Sequence, residues 1–128
     1  MPKTGSCLCG GVTYTITGPM RDIIACHCRQ CRKTSGNFVA ATQVAQADLH
    51  FDSKYSLAWY RSSDVAERGF CSTCGGNLFW RRLESETISI MAGTLDPPTG
   101  LKITQHIFVA DKSDFYELFD DVEKLDTW

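Results

Sequence analysis

The sequence predicts a mainly β fold of short antiparallel strands that holds metal sites. Val12, Tyr14 and Ile16 alternate with threonines, which is the two-residue period of a half-buried strand. Seven cysteines lie in three groups, and the closest pairs are too near in sequence for unstrained disulfides. Together these observations indicate a β domain whose loops bring distant thiols to one edge.

Further short apolar segments, separated by turn residues, predict the rest of the sheet. They cover residues 38–44, 57–60, 78–82, 87–91 and 103–109, and a short apolar segment, 23–25, leads to the second cysteine group. The stretch RKTSGN after that group has the composition of a loop. Segment 113–125 is predicted as a short C-terminal helix because its apolar residues share one side. These residues are Phe115, Leu118, Phe119 and Val122.

Length and composition predict one ordinary globular domain over residues 1–128, with 43% hydrophobic and 22% charged residues. The formal charge of -2 provides no basic face, so neither nucleic acid nor an anionic membrane is an expected partner. The opening MPKTGSCLCG contains no apolar run that could act as a signal peptide or a membrane span. We therefore expect a cytoplasmic protein.

A reducing compartment disfavours disulfides but permits metal thiolates, and seven thiols cannot all pair. Structural zinc uses four protein ligands, whereas catalytic zinc keeps three and an open position. The spacing therefore predicts two zinc ions per chain. The structural ion takes the CxC and CxxC pairs, Cys7, Cys9, Cys71 and Cys74. The catalytic ion takes the CxCxxC triplet, Cys26, Cys28 and Cys31.

Other arrangements of these residues stay open at this point. The triplet could join one member of a pair, or His27, His50 or His106 could close it as a second structural site. We favour His27 as a hydrogen-bonded imidazole and His50 as a surface residue. A redox CxxC is disfavoured because Gly75 and Gly76 open no helix.

Three thiolates around one zinc ion leave a net charge of about -1, which makes a poor Lewis acid but can hold a substrate thiol as thiolate. We therefore expect an enzyme that activates an external thiol for attack on a carbon electrophile. The alternative is a noncatalytic zinc-binding scaffold or protein-interaction module. Arg29, Arg32 and Lys33 flank the triplet and could hold carboxylates, and Arg68 could do so at the other site, although a solvated loop is the favoured interpretation.

Five segments carry a family resemblance over nearly the whole chain. They are CLCGGVTY from Cys7, ACHCRQCRKTSG around Cys26, ERGFCSTCGGNLFW around Cys71, MAGTLD around Gly93 and HIFVADK from His106. The chain resembles the glutathione-dependent formaldehyde-activating family, also called Gfa-like or centromere protein V. This resemblance implies an Mss4-like fold and the same four-and-three division of the cysteines. It also implies a carbon-sulfur lyase, an S-(hydroxymethyl)glutathione synthase that joins glutathione to formaldehyde.

Overall fold

The computed structural model describes residues 2–128 and confirms the mainly β fold class. The predicted domain, 1–128, begins one residue before this range. The strands are β1 (Lys3–Ser6), β2 (Val12–Ile16), β3 (Ile23–Cys26), β4 (Val39–Ala45), β5 (Leu49–Lys54), β6 (Leu57–Arg61), β7 (Ala66–Cys71), β8 (Asn77–Arg82), β9 (Thr87–Met91), β10 (Ile103–Ile107) and β11 (Glu123–Lys124). The α-helix is α1 (Arg29–Ser35), and the 3-10 turns are Gln46–Asp48, Ala92–Thr94 and Val109–Asp111.

The strands form two sheets. A small sheet has the order β1-β2-β5, and a large sheet has the order β11-β10-β3-β4-β9-β8-β7-β6. Strand β10 pairs in parallel with both β3 and β11, so the prediction of antiparallel strands is wrong for these two pairs. Parallel neighbours need a long crossover, and the chain between β3 and β10 contains most of the large sheet and readily supplies one.

The two faces of the large sheet have different roles. One face packs against the small sheet, with Phe79 fully buried and its ring edge-on to Tyr14 and Phe51, both at 5.6 Å between ring centroids. Burying an aromatic side chain of this kind contributes roughly 1.5–3 kcal/mol, so this cluster is a main source of stability. The opposite face carries a cavity and one cysteine group.

The predicted C-terminal helix is wrong. Segment 113–125 has turns, bends and the two-residue strand β11, and Phe115 and Phe119 are 66% and 89% exposed. Short helices are marginal in water unless their apolar face packs against a core, and these side chains find none. The tail instead follows the sheet edge, where the backbone N–H of Leu125 donates to the carbonyl of His106 at 2.9 Å.

The helix that forms lies where a loop was predicted. In α1 the Cys28 sulfur caps the first turn by accepting the Cys31 backbone N–H at 3.4 Å. Gly36 ends the helix at φ +90°, where a residue without a Cβ is favoured, and donates to the Arg32 carbonyl at 2.9 Å. Among residues 2–128, no helix is long and apolar enough to cross a membrane.

Candidate metal centres

The first candidate centre, the four-cysteine site, consists of Cys7, Cys9, Cys71 and Cys74. The four sulfur atoms lie within 4.8 Å of one another, with 3.7 Å from Cys7 to Cys9 and 3.6 Å from Cys9 to Cys71. A tetrahedron with zinc-sulfur bonds of 2.3 Å has sulfur-sulfur edges of about 3.8 Å. All four cysteines are free of disulfides, so both the donors and their spacing fit a zinc ion.

Two glycine turns shape this site. Gly75 has φ +76° and donates to the Cys71 carbonyl at 2.8 Å, while Gly10 has φ +79° and donates to the Cys7 carbonyl at 3.4 Å. Positive φ angles favour glycine because a side chain would be strained there. Each turn therefore folds its two cysteines back so that both sulfurs face the same point.

Hydrogen bonds prepare these sulfurs for the anionic state. Cys71 Sγ accepts the backbone N–H of Cys74 at 3.3 Å and lies 3.0 Å from the Ser56 hydroxyl. The Cys74 amide and the Ser56 hydroxyl lower the pKa of the Cys71 thiol to about 5. The Val12 backbone N–H donates to Cys7 Sγ at 3.3 Å. Such donors favour the thiolate form, which is the form that binds metal.

The second candidate centre, the three-cysteine site, consists of Cys26 at the end of β3, Cys28 at the start of α1 and Cys31 within α1. Their sulfurs also lie within 4.8 Å of one another. Hydrogen bonding to Cys26 and Cys31 lowers the pKa of the Cys28 thiol, whereas hydrogen bonding to Cys28 and burial raise that of Cys26. All three thiols can ionise together only if a cation joins them, which is the chemistry of a metal site.

The three-cysteine site opens into a cavity of about 390 Å³ on the outer face of the large sheet. All three cysteines line it, together with apolar side chains that include Trp80 and Met91. The four-cysteine site does not contribute to this lining. A volume of this size accommodates a small organic ligand, so the three-cysteine site is the one that such a ligand can reach.

The histidines proposed as a fourth ligand have other partners. His27 is fully buried, with Nδ1 2.5 Å from the Tyr116 hydroxyl and Nε2 2.8 Å from His106 Nδ1. His106 Nε2 lies 2.8 Å from the Asp120 carboxylate. Both nitrogens of each ring are therefore engaged, which agrees with His27 as a hydrogen-bonded imidazole and argues against a closed site. His50 is exposed, as predicted, and lies 3.1 Å from the Thr17 hydroxyl.

Sequence reasoning missed Tyr116 and Asp120 because both belong to the segment predicted as a helix. Burial lowers the pKa of His27 to about 4, so this imidazole is neutral near pH 7. The Asp120 carboxylate can only accept, so His106 Nε2–H donates to it. The neutral His27 ring has one N–H, so one of its nitrogens donates and the other accepts in the contacts with His106 Nδ1 and the Tyr116 hydroxyl, and the two contacts fix the ring behind the three-cysteine site.

The structure reassigns the basic residues. Arg68 was a candidate for the four-cysteine site, but its guanidinium lies 3.8 Å from the Cys31 sulfur and lines the cavity. This correction follows from strand geometry: Arg68 is three residues before Cys71 on β7, so the two side chains point to opposite faces. Arg29, Arg32 and Lys33 do not line the cavity.

A mixed β fold with one four-cysteine site and one open three-cysteine site, both of which could hold a metal ion, is the class of protein that the fold and the sites define. The profile of the family described as glutathione-dependent formaldehyde-activating enzyme matches residues 2–111, and the chain belongs to this family. This confirms the resemblance, and the family is one of enzymes.

Comparison with solved structures gives a further likeness. A Rhodobacter sphaeroides protein of known crystal structure is 25% identical to this chain in sequence, and the two structures align with a TM-score of 0.62. The match covers 73% of this chain and 88% of that chain. A search of curated proteins found no match.

Proposed function

We propose that this protein is a zinc-dependent carbon-sulfur lyase of the S-(hydroxymethyl)glutathione synthase type. It activates a glutathione-type thiol for addition to formaldehyde or a related carbonyl. The observation that carries the proposal is the three-cysteine site in the wall of a ligand-sized cavity. Membership of a family named for glutathione and formaldehyde supports the choice of substrates.

The two sites have different roles in this proposal. The four-cysteine site already offers four sulfurs, so a zinc ion there has a complete ligand set and serves stability. It ties the turn after β1 to the turn after β7, segments more than sixty residues apart in sequence. The three-cysteine site, Cys26, Cys28 and Cys31, leaves one tetrahedral position for the substrate sulfur.

The reaction needs one bond to form and one proton to move. The substrate thiol loses its proton, its sulfur bonds to the carbonyl carbon, and the carbonyl π pair moves to oxygen, which takes up a proton to become the hydroxymethyl group. A zinc ion bound by the three cysteines would supply the positive charge that favours thiolate over thiol. The reverse reaction breaks the same carbon-sulfur bond and releases the aldehyde.

The protein's own groups hold this site in place. The Cys31 backbone N–H orients the Cys28 sulfur, and the packed His27 ring fixes the backbone between Cys26 and Cys28. Trp80 and Met91 line the cavity with apolar surface, which excludes water from around the reacting sulfur.

The test measures zinc content and catalysis in the same samples. Elemental analysis of the purified protein should give two zinc ions per chain, falling to one in Cys28→Ser with the circular dichroism spectrum unchanged. Exchange between ¹³C-formaldehyde and S-(hydroxymethyl)glutathione, followed by NMR, should be faster with the parent protein than with Cys28→Ser or with no protein.

Lys33→Ala is the matched control, because Lys33 is exposed in the same helix and does not line the cavity. It should keep both zinc ions and the full exchange rate. Two results together would favour the noncatalytic scaffold instead. The parent protein would hold one zinc ion that Cys28→Ser retains, and the parent protein would not accelerate the exchange.

A further inference from the structure

Arg68 is an unusual residue in the cavity because it is charged, buried and incompletely paired. Its side chain rises from β7, is only 5% exposed and lines the cavity beside Cys31. Its Nη2 lies 3.4 Å from the Gln30 side-chain oxygen and 3.8 Å from Cys31 Sγ. Its Nε and Nη1 find no hydrogen-bond partner anywhere in residues 2–128.

A buried guanidinium with two unpaired nitrogens is costly, and buried polar groups in native proteins are nearly always satisfied. The carboxylate closest in sequence is already engaged: Glu67 points away from the cavity and accepts two bonds from Arg81, at 2.7 and 2.8 Å. The missing partner of Arg68 must therefore come from the cavity itself.

The cavity around Arg68 is polar and positive along one side. Gln43, Ser89, Trp80 and Arg68 form a row across four neighbouring strands, β4, β9, β8 and β7, in direct register. Arg21 and Arg82 also line the cavity, and no aspartate or glutamate among the described residues does. Three guanidinium groups without an acidic side chain among them favour an anionic ligand.

We propose that Arg68 forms a carboxylate-binding subsite beside the three-cysteine site, so that the thiol substrate must carry a carboxylate. The substrate sulfur takes the open position near Cys31, and an oxygen of its carboxylate accepts from the free Arg68 nitrogens. Arg21 and Arg82 add positive potential along the rest of the cavity. This inference rests on the proposed function for the thiol, and it adds the requirement for an anionic group.

A different role for Arg68 makes different predictions. If Arg68 only balances the charge of the three thiolates, any cation at this position suffices and the carboxylates of the ligand do not matter. Lysine keeps the charge but replaces three planar nitrogens with one. The Arg68→Lys variant therefore separates the two roles, and Arg68→Gln removes the charge as well.

The experiment compares glutathione with its diethyl ester, in which both carboxylates are blocked. Binding to zinc-loaded protein is measured by calorimetry, with zinc content and circular dichroism checked for each variant. Arg29→Gln is the matched control, since Arg29 is exposed on α1 and lies outside the cavity lining. The parent protein and the control should bind the acid about ten- to a hundredfold more tightly than the ester.

Arg68→Gln and Arg68→Lys should lose most of this preference while binding the ester as the parent does. If Arg68→Gln sheds zinc from the three-cysteine site, Arg68→Lys decides the question. The proposal is overturned if the parent shows no preference, if Arg68→Lys keeps all of it, if Arg29→Gln loses as much, or if neither ligand binds.

The outcome is separable from that of the proposed function. A preference that depends on Arg68, without acceleration of formaldehyde exchange, would retain the subsite and reject the lyase chemistry. Zinc-dependent exchange with equal binding of acid and ester would reject the subsite alone.

Discussion

Replacing Ser56 by alanine should weaken zinc binding at the four-cysteine site without disturbing the fold. Ser56 lies in the turn between β5 and β6, is 5% exposed, and places its hydroxyl 3.0 Å from Cys71 Sγ. The Ser56 backbone N–H donates to the Gly11 carbonyl, and the Ser56 carbonyl accepts from the Ser72 N–H at 2.7 Å. Neither of these bonds involves the Ser56 side chain. The substitution therefore removes one hydrogen bond to sulfur and little else.

The expected magnitude follows from how many donors Cys71 keeps. Removing a group that hydrogen-bonds a metal ligand typically costs about 10- to 100-fold in metal affinity. The Cys74 backbone N–H continues to donate to Cys71 Sγ at 3.3 Å, so part of the stabilisation remains. We therefore expect a loss near the lower end, about tenfold.

The assay is competition for zinc against a chromophoric chelator, carried out in the Cys28→Ser background so that only the four-cysteine site is titrated. Ser72→Ala is the control: Ser72 lies between Cys71 and Cys74 in the turn after β7, and its hydroxyl donates to the Ser56 carbonyl at 3.0 Å rather than to sulfur. Unchanged zinc affinity in Ser56→Ala, or an equal loss in Ser72→Ala, would refute the reasoning.

Three further predictions concern stability. Cys74→Ser should lose the zinc ion of the four-cysteine site, measured by elemental analysis, and should also have a lower Tm, measured by calorimetry. A folded variant that has lost this zinc ion but keeps the parent Tm would contradict the structural role. Phe79→Ala should lower the free energy of unfolding by about 3–5 kcal/mol in urea, and a loss below 1 kcal/mol would show that its aromatic neighbours do not define the core. Burial raises the pKa of Tyr14 from 10.0 to about 12, so between these values the unfolded chain loses a proton that the folded chain keeps. From pH 10 to 11 the free energy of unfolding of the parent protein should then fall by about 1 kcal/mol more than that of Tyr14→Phe. Equal declines in the two proteins would reject this assignment.

The local sequence was sufficient where one short-range pattern dominates. The alternation from Val12 to Thr17 predicts β2, which ends one residue earlier at Ile16, and 87–91 coincides with β9. The other predicted strands differ from the observed ones by one or two residues at one or both ends. Strand β7 was missed because Glu67, Arg68 and Gly69 lower its apolar content, although the sheet on either side buries it.

The grouping of the thiols could be predicted from spacing and ligand chemistry alone. A gap of one or two residues allows two sulfurs to face one ion, and four plus three is the division that zinc chemistry favours. The structure brings together these same two sets. Local spacing, glycine turns and the number of thiols are all properties of the sequence itself.

What only the tertiary structure decided is which side chains from distant segments surround each site. Arg68 is closer to Cys71 in sequence, yet the pleat of β7 turns it toward Cys31 and the cavity. The tail has helical apolar spacing, yet it extends along β10 because Tyr116 and Asp120 find buried histidine partners there. Both outcomes depend on contacts between segments far apart in the chain, which no local pattern encodes.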